Sequence, residues 1–232
     1  LFSPERVFEL IRYFILFDAN VKKVCRYQQF FAVREIMKTI AESDEHGNRQ
    51  SGVIWHTQGS GKSLTMVMLA KYILMELRDC HPRVVIVTDR KELDAQIAAT
   101  FAHTRLTPAR ATSGRHLVEL VNSARADVIT SIINKFNTVE RQEVKNPSRD
   151  IFVLVDESHH NNTIKAEALL TLFAPEKIIR CSATPRLTED AALIEVDERD
   201  VIHSGLIKSL LVINEDFPSH IHADSQIAYL LT

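Results

Sequence analysis

An α/β fold with a mainly parallel sheet and helices on both of its faces is what this 232-residue sequence predicts. Short, mostly apolar runs recur at Val53 to Trp55, Arg83 to Thr88, Asp127 to Thr130, Ile151 to Val155 and Ile178 to Ser182. Segments of helical pattern separate them, which is the βαβ rhythm of a parallel sheet. The runs also lack the in-out alternation of a half-exposed strand, so both faces are expected to be covered. In such a sheet the loops after the carboxyl ends of the strands carry the functional groups.

The elements follow in order. Ser3-Pro4-Glu5 offers an N-cap and a proline at the first helical position, and Val7, Leu10, Ile11, Phe14 and Phe17 recur at helical spacing. The first segment therefore reads as an amphipathic helix. A second helix over Tyr27 to Ile40 carries Phe30, Phe31, Val33, Ile36, Met37 and Ile40, and the polar run Glu42 to Gln50 reads as a surface loop. After the strand at Val53 come a helix from Gly61 to Arg78, the strand Arg83 to Thr88, and a helix over Lys91 to Phe101. A weak strand at Arg110 to Thr112 and a helix over His116 to Ser123 precede the strand ending at Thr130. The charged stretch Val139 to Asp150, with Asn146-Pro147, reads as a loop, and a helix over Ile164 to Phe173 joins the last two strands. This divides the chain into an N-terminal helical segment (1–50), an α/β domain (51–190) and a closing segment (191–232).

Composition narrows the class. With 45% hydrophobic and 25% charged residues the chain is that of an ordinary soluble globular protein. A net charge of −2 carries no bulk signature for nucleic acid, so any polyanion site has to be a local patch. Cys25, Cys80 and Cys181 are far apart and lack metal-ligand spacing, which reads as reduced thiols in a cytoplasmic protein. The apolar stretch Val7 to Phe17 is broken by Glu9 and Arg12, so neither a membrane span nor a signal peptide is expected. The first residue is Leu1, and the chain is expected to be part of something longer.

The most specific motif is WHTQGSGKS, residues 55 to 63. A strand that empties into closely spaced glycines lets consecutive backbone N–H groups point at an anion, and the following helix adds its positive end. Only 6 glycines occur in the chain, yet Gly52, Gly59 and Gly61 fall close together. Thr57, Gly59, Ser60 and Gly61 would then line the phosphates of a nucleotide, Lys62 would reach the β/γ-phosphates, and the Ser63 hydroxyl would ligate Mg²⁺. His56 occupies the first position of GxxxxGK[ST], so the match covers the second half of the pattern. The plainer alternative is a Gly-Ser turn with an exposed lysine.

A second motif supplies the counterpart. The apolar run Ile151 to Val155 ends in Asp156-Glu157-Ser158-His159, delivering two carboxylates at the end of a buried strand. Buried charge is costly unless compensated, and Mg²⁺ between phosphates, Ser63 and Asp156 would compensate it. Glu157 is then placed to orient or deprotonate an attacking water. Alternatively, both acids cap the next helix.

GSGKS, DESH and Ser182-Ala183-Thr184-Pro185, in this order and each after a strand, closely resemble motifs I, II and III of superfamily 2 helicases and translocases. Arg26-Tyr27-Gln28-Gln29, followed by Ala32, is similar to the Q motif of that family. The resemblance implies a glutamine that reads adenine: Gln29 by its spacing, with Gln28 adjacent. More narrowly, FDANVKKVCRYQQ, GVIWHTQGSGKSLTM, VVIVTDRKELDAQI and TSIINKF resemble the motor subunit of type I restriction endonucleases, while HHNN and SGLIKSLLVIN look more like type III subunits.

The resemblance implies a RecA-like phosphate-loop domain that uses ATP and Mg²⁺ to pump duplex DNA, in a complex with methyltransferase and specificity subunits and with no membrane partner. It assigns Lys62 and Ser63 to the triphosphate and Mg²⁺, Asp156 to Mg²⁺ and Glu157 to the catalytic base. His159, Ser182 and Thr184 would couple nucleotide state to DNA movement. Arg90, Lys91, Thr130, Ser131 and Lys135 resemble segments that grip DNA phosphates, a contact that would not read sequence. Turnover is expected to need a second RecA-like domain, for which residues after Pro185 offer no second phosphate loop. Two other functions stay open: a DExH RNA helicase, and a nucleotide-sensing scaffold without productive turnover.

Overall fold

The computed structural model describes residues 3–18, 21–41, 51–55, 61–88, 91–102, 106, 108–123, 126–132, 151–156, 177–182 and 191–194. All of them lie within one compact unit, Phe2–Asp197.

The chain opens with helix α1 (Pro4–Tyr13), started as its sequence predicts, with Pro4 in the first turn and the Ser3 hydroxyl accepting from the Arg6 N–H at 3.4 Å. It ends earlier than the apolar spacing predicts. Ile15–Asp18 (β1) pairs antiparallel with Val21–Val24 (β2) as a small separate hairpin. The reason is visible in burial: Phe14 and Leu16 are buried while Phe17 is exposed, a period of two that overrides the helical stripe. Helix α2 (Tyr27–Ala41) follows and buries Phe30, Val33, Ile36 and Ile40.

The remaining strands form one seven-stranded sheet. In chain order they are β3 (Ser51–Trp55), β4 (Arg83–Thr88), β5 (Ala109–Arg110), β6 (Val128–Ile132), β7 (Ile151–Asp156), β8 (Lys177–Ser182) and β9 (Ala191–Ile194). Their spatial order is β5-β6-β4-β7-β8-β3-β9, and every pair is parallel. Every residue of β6 and β7 is buried, as the unbroken apolar runs require of a sheet covered on both faces. The helices between strands are α3 (Lys62–Glu76), α4 (Lys91–Ala102) and α5 (Gly114–Asn122). Leu117 and Val121 of α5 pack with Val85, Val87, Ile129 and Val153, the alternate residues that share one face of the sheet. The expected helix at 164–173 and the loops at 42–50 and 139–150 lie outside the described residues.

Helix α3 is the pillar of the unit. Its residues Thr65 to Ala70 are all buried, which is the signature of a helix enclosed on more than one side. Helix α1 and α2 cover it: Tyr13 stacks on Tyr72 with ring centroids 4.0 Å apart, and Phe14 meets Phe30 at 4.9 Å and Tyr72 at 6.0 Å. The N-terminal helical segment is thereby packed onto the helix that follows the glycine-rich loop.

Candidate nucleotide site

The parallel sheet sets the site by register. Strand β8 lies between β3 and β7, and the pairs Trp55↔Ser182 and Asp156↔Cys181 bring the carboxyl ends of all three strands abreast. Neighbouring strands are about 4.8 Å apart, so the end of β3 and Asp156 are separated by about 10 Å across β8. Motifs that are far apart in sequence thus end on one short edge.

At the β3 side, Gly61 immediately precedes α3 with φ 87° and ψ 39°, a left-handed conformation that an L side chain adopts only with strain. No side chain caps α3 at this position among the described residues. Its first N–H groups are those that an isolated helix end leaves to an anion. Lys62 and Ser63 occupy the first two helical positions and are half-buried. The Gly61 carbonyl accepts from the Thr65 N–H at 3.1 Å and from the Thr65 hydroxyl at 3.3 Å.

At the β7 side, Asp156 is 2% exposed at the last position of the strand. Between the two lies Cys181 of β8, fully buried. Burial pushes its thiol up strongly, the negative charge of Asp156 pushes it further, and the positive charge of Lys62 opposes this. One buried thiol therefore feels both the lysine and the aspartate. A helix end that begins with Lys62 and a buried carboxylate at the end of β7 put cationic groups and a hard oxygen at the same end of the sheet, which suits a phosphate chain and Mg²⁺.

Gln29 joins the site from α2. It is 3% exposed, its Oε1 accepts from the Arg26 N–H at 2.8 Å, and its Nε2 donates to the Gly61 carbonyl at 3.0 Å. Gln28 beside it is only half-buried. Of the two glutamines the sequence offers, the structure brings Gln29 to the loop.

The groups expected at DNA are more scattered. Lys91 is exposed at the first position of α4, whereas Thr130 and Ser131 are fully buried in β6. Asp94, on α4, is buried and ion-paired with Arg110 of β5. Ser182 closes β8 next to Cys181. Thr57, Gly59, Ser60, Arg90, Lys135, Glu157, His159 and Thr184 lie outside the described residues. Sequence pattern gives no sign of Cys181 as a neighbour of the two charges. The one signal available is its place directly before Ser182, at the end of an apolar strand.

A parallel sheet that presents a glycine-led helix end and a buried aspartate on one edge is the arrangement of a phosphate-loop, RecA-like ATPase domain. The chain belongs to the SWI2/SNF2 ATPase family, whose model matches residues 28–205. It is similar to the type I restriction enzyme HindI endonuclease subunit of Haemophilus influenzae, with 34% identity over 175 residues, 69% of this chain and 17% of that protein. It is also similar to the putative type I restriction enzyme MjaIXP endonuclease subunit of Methanocaldococcus jannaschii, with 31% identity over 80% of this chain and 18% of that protein. The chain thus spans less than a fifth of these relatives' length. Among solved structures, the fold is shared with the Sulfolobus solfataricus SWI2/SNF2 ATPase core in complex with dsDNA (TM-score 0.52, 15% identity, 76% of this chain and 34% of that one). It is shared equally with the UvsW helicase from bacteriophage T4 (TM-score 0.53, 16% identity, 78% and 60%).

Proposed function

We propose that this chain is the nucleotide-gripping half of an ATP-driven duplex-DNA translocase, part of the endonuclease subunit of a type I restriction system. The observation that supports this best is the edge formed by β3, β8 and β7. It brings Lys62, at the head of α3, and Asp156, at the end of β7, to one end of the sheet in a chain whose relatives are type I restriction endonuclease subunits.

In this reading Lys62 contacts the triphosphate, and the Lys62 and Ser63 N–H groups complete the anion cradle with Thr57, Gly59, Ser60 and Gly61. The Ser63 hydroxyl and the Asp156 carboxylate would hold Mg²⁺, which when bound neutralises charge on the β- and γ-phosphates. Glu157, next after Asp156, takes a proton from the attacking water. His159, Ser182 and Thr184 transmit nucleotide state to the DNA-facing side. Lys91, with Arg90 and Lys135, forms the phosphate-contacting set for duplex DNA, whereas Thr130 and Ser131, fully buried in β6, are left out of it. Methyltransferase and specificity subunits are the expected partners, and the cytoplasm is the expected compartment.

The test compares ATP hydrolysis by the full-length protein with duplex DNA, single-stranded RNA or no nucleic acid. The proposal predicts stimulation by duplex DNA. Stimulation by RNA alone identifies an RNA helicase, and ATP binding without turnover under every condition identifies a nucleotide-sensing scaffold.

A further inference from the structure

Gln29 stands at the third position of α2, and its Oε1 reaches back to the Arg26 N–H at 2.8 Å, half of a capping box. The same amide sends Nε2 to the carbonyl of Gly61, 32 residues later, at 3.0 Å. One side chain thus ties the start of α2 to the start of α3. The approach is close enough that a Cβ built on Gly61 would lie 2.7 Å from Gln29 Nε2.

The peptide bond from Gly61 to Lys62 is planar and trans, so its C=O and N–H point in opposite directions. A donor that fixes the Gly61 carbonyl therefore also fixes the direction of the Lys62 N–H. That N–H belongs to the proposed anion cradle, and it points away from Gln29. The Thr65 N–H and hydroxyl hold the same carbonyl at 3.1 and 3.3 Å, so the peptide plane is set from α3 and from α2 together.

We infer that Gln29 is a positioning residue for the phosphate end of the nucleotide site, acting through Gly61, and that its effect on binding is independent of the base. This differs from the adenine-reading role that the Q-motif resemblance implies, and it rests on the nucleotide-site reading above. Two properties favour it: the amide is 3% exposed, and its donor engages loop backbone.

Gln29→Glu separates the two jobs of the side chain. A carboxylate still accepts from the Arg26 N–H, preserving the start of α2, but it sets an oxygen against the Gly61 carbonyl. Gln29→Met keeps the length and removes both bonds. Equilibrium binding of ATP, GTP and inorganic tripolyphosphate to the full-length protein is measured by titration calorimetry, with thermal melting to verify folding. The expected result for Gln29→Glu is weaker binding of all three probes by a common factor of about five to ten. Loss of ATP affinity alone, with tripolyphosphate unchanged, identifies a base reader and overturns the inference, as does unchanged binding of every probe. Should Gln29→Met fail to fold, the Gln29→Glu result decides. A wild-type protein that binds none of the probes removes the nucleotide-site reading itself, an outcome distinct from a selective loss.

Discussion

The two ends of α3 are secured in different ways. At the C-terminal end, contacts are many and overlapping: Tyr13 stacks on Tyr72, the Tyr72 hydroxyl donates to Glu9 at 3.1 Å, and Arg34 pairs with Glu9 at 3.3 Å. The Tyr13 hydroxyl also donates to Glu76, which Arg12 approaches at 3.7 Å. At the N-terminal end, among the described residues, the Gly61 conformation, the Gln29 amide and Thr65 define the geometry. A structural joint can spread its load over aromatic area and several charges. A phosphate cradle needs particular N–H directions, which only a few backbone groups can supply. Single substitutions should therefore be severe at one end and mild at the other.

The largest effect is expected for Gly61→Ala. The left-handed conformation costs an alanine about 1–2 kcal/mol, and the new Cβ displaces the Gln29 amide from a hydrogen bond worth about 1 kcal/mol. ATP binding by the full-length protein should weaken by about tenfold or more, while denaturant unfolding still shows a cooperative fold. Near-normal ATP affinity in this variant would erase the contrast between the two ends.

Next in size is Tyr72→Phe. It keeps the ring stack and loses one hydrogen bond to a charged acceptor, about 1 kcal/mol of stability, with ATP affinity unchanged. The same bond should give a pH signature. Burial first, then the charge of Glu9 and the hydrogen bond to it, push the Tyr72 phenol from its ordinary value near 10 up to about 12. The folded state thus holds this proton more tightly than the unfolded state. Its contribution is complete below about pH 10 and is lost as pH rises towards about 12. Tyrosinate absorbance during alkaline titration of wild type and Tyr72→Phe reads this directly. A transition at the ordinary phenol value would mean that α1 does not cover this face of α3.

The smallest effect is expected for Arg12→Ala. Its partner Glu76 lies 3.7 Å away with both side chains near half-exposed, so the ion pair is worth less than about 1 kcal/mol after screening. The arginine also lies 5.2 Å from the Tyr13 ring centroid. A denaturant midpoint close to wild type is predicted. A large loss would mean that the C-terminal joint depends on this one residue.

How legible these features are in the sequence follows the same division. Ser3-Pro4, the glycine-lysine-serine loop and the apolar runs of β4 and β7 announce themselves because each is a local pattern with a local physical cause. The hairpin β1–β2 does not, since Phe14 and Phe17 fit a helical stripe as well as an alternating strand, and only packing against Phe30 and Tyr72 decides. Strand β9 is equally hidden: Ala191-Ala192-Leu193-Ile194 reads as helix or strand, and pairing to β3 settles it. In the site, spacing singles out Gln29 but says nothing of Gly61 as its partner. Contacts across 32 residues, like the place of Cys181 between two charges, arise from strand order, which no local pattern encodes.

The most direct test of the nucleotide-site assignment is the duplex-DNA-stimulated ATP hydrolysis rate of the full-length protein carrying Lys62→Ala, measured beside wild type. Loss of the stimulated rate in a folded variant is predicted, because the ammonium at the head of α3 is the proposed contact to the triphosphate. A variant that hydrolyses ATP at the wild-type rate would contradict the assignment of this edge of the sheet as the catalytic site.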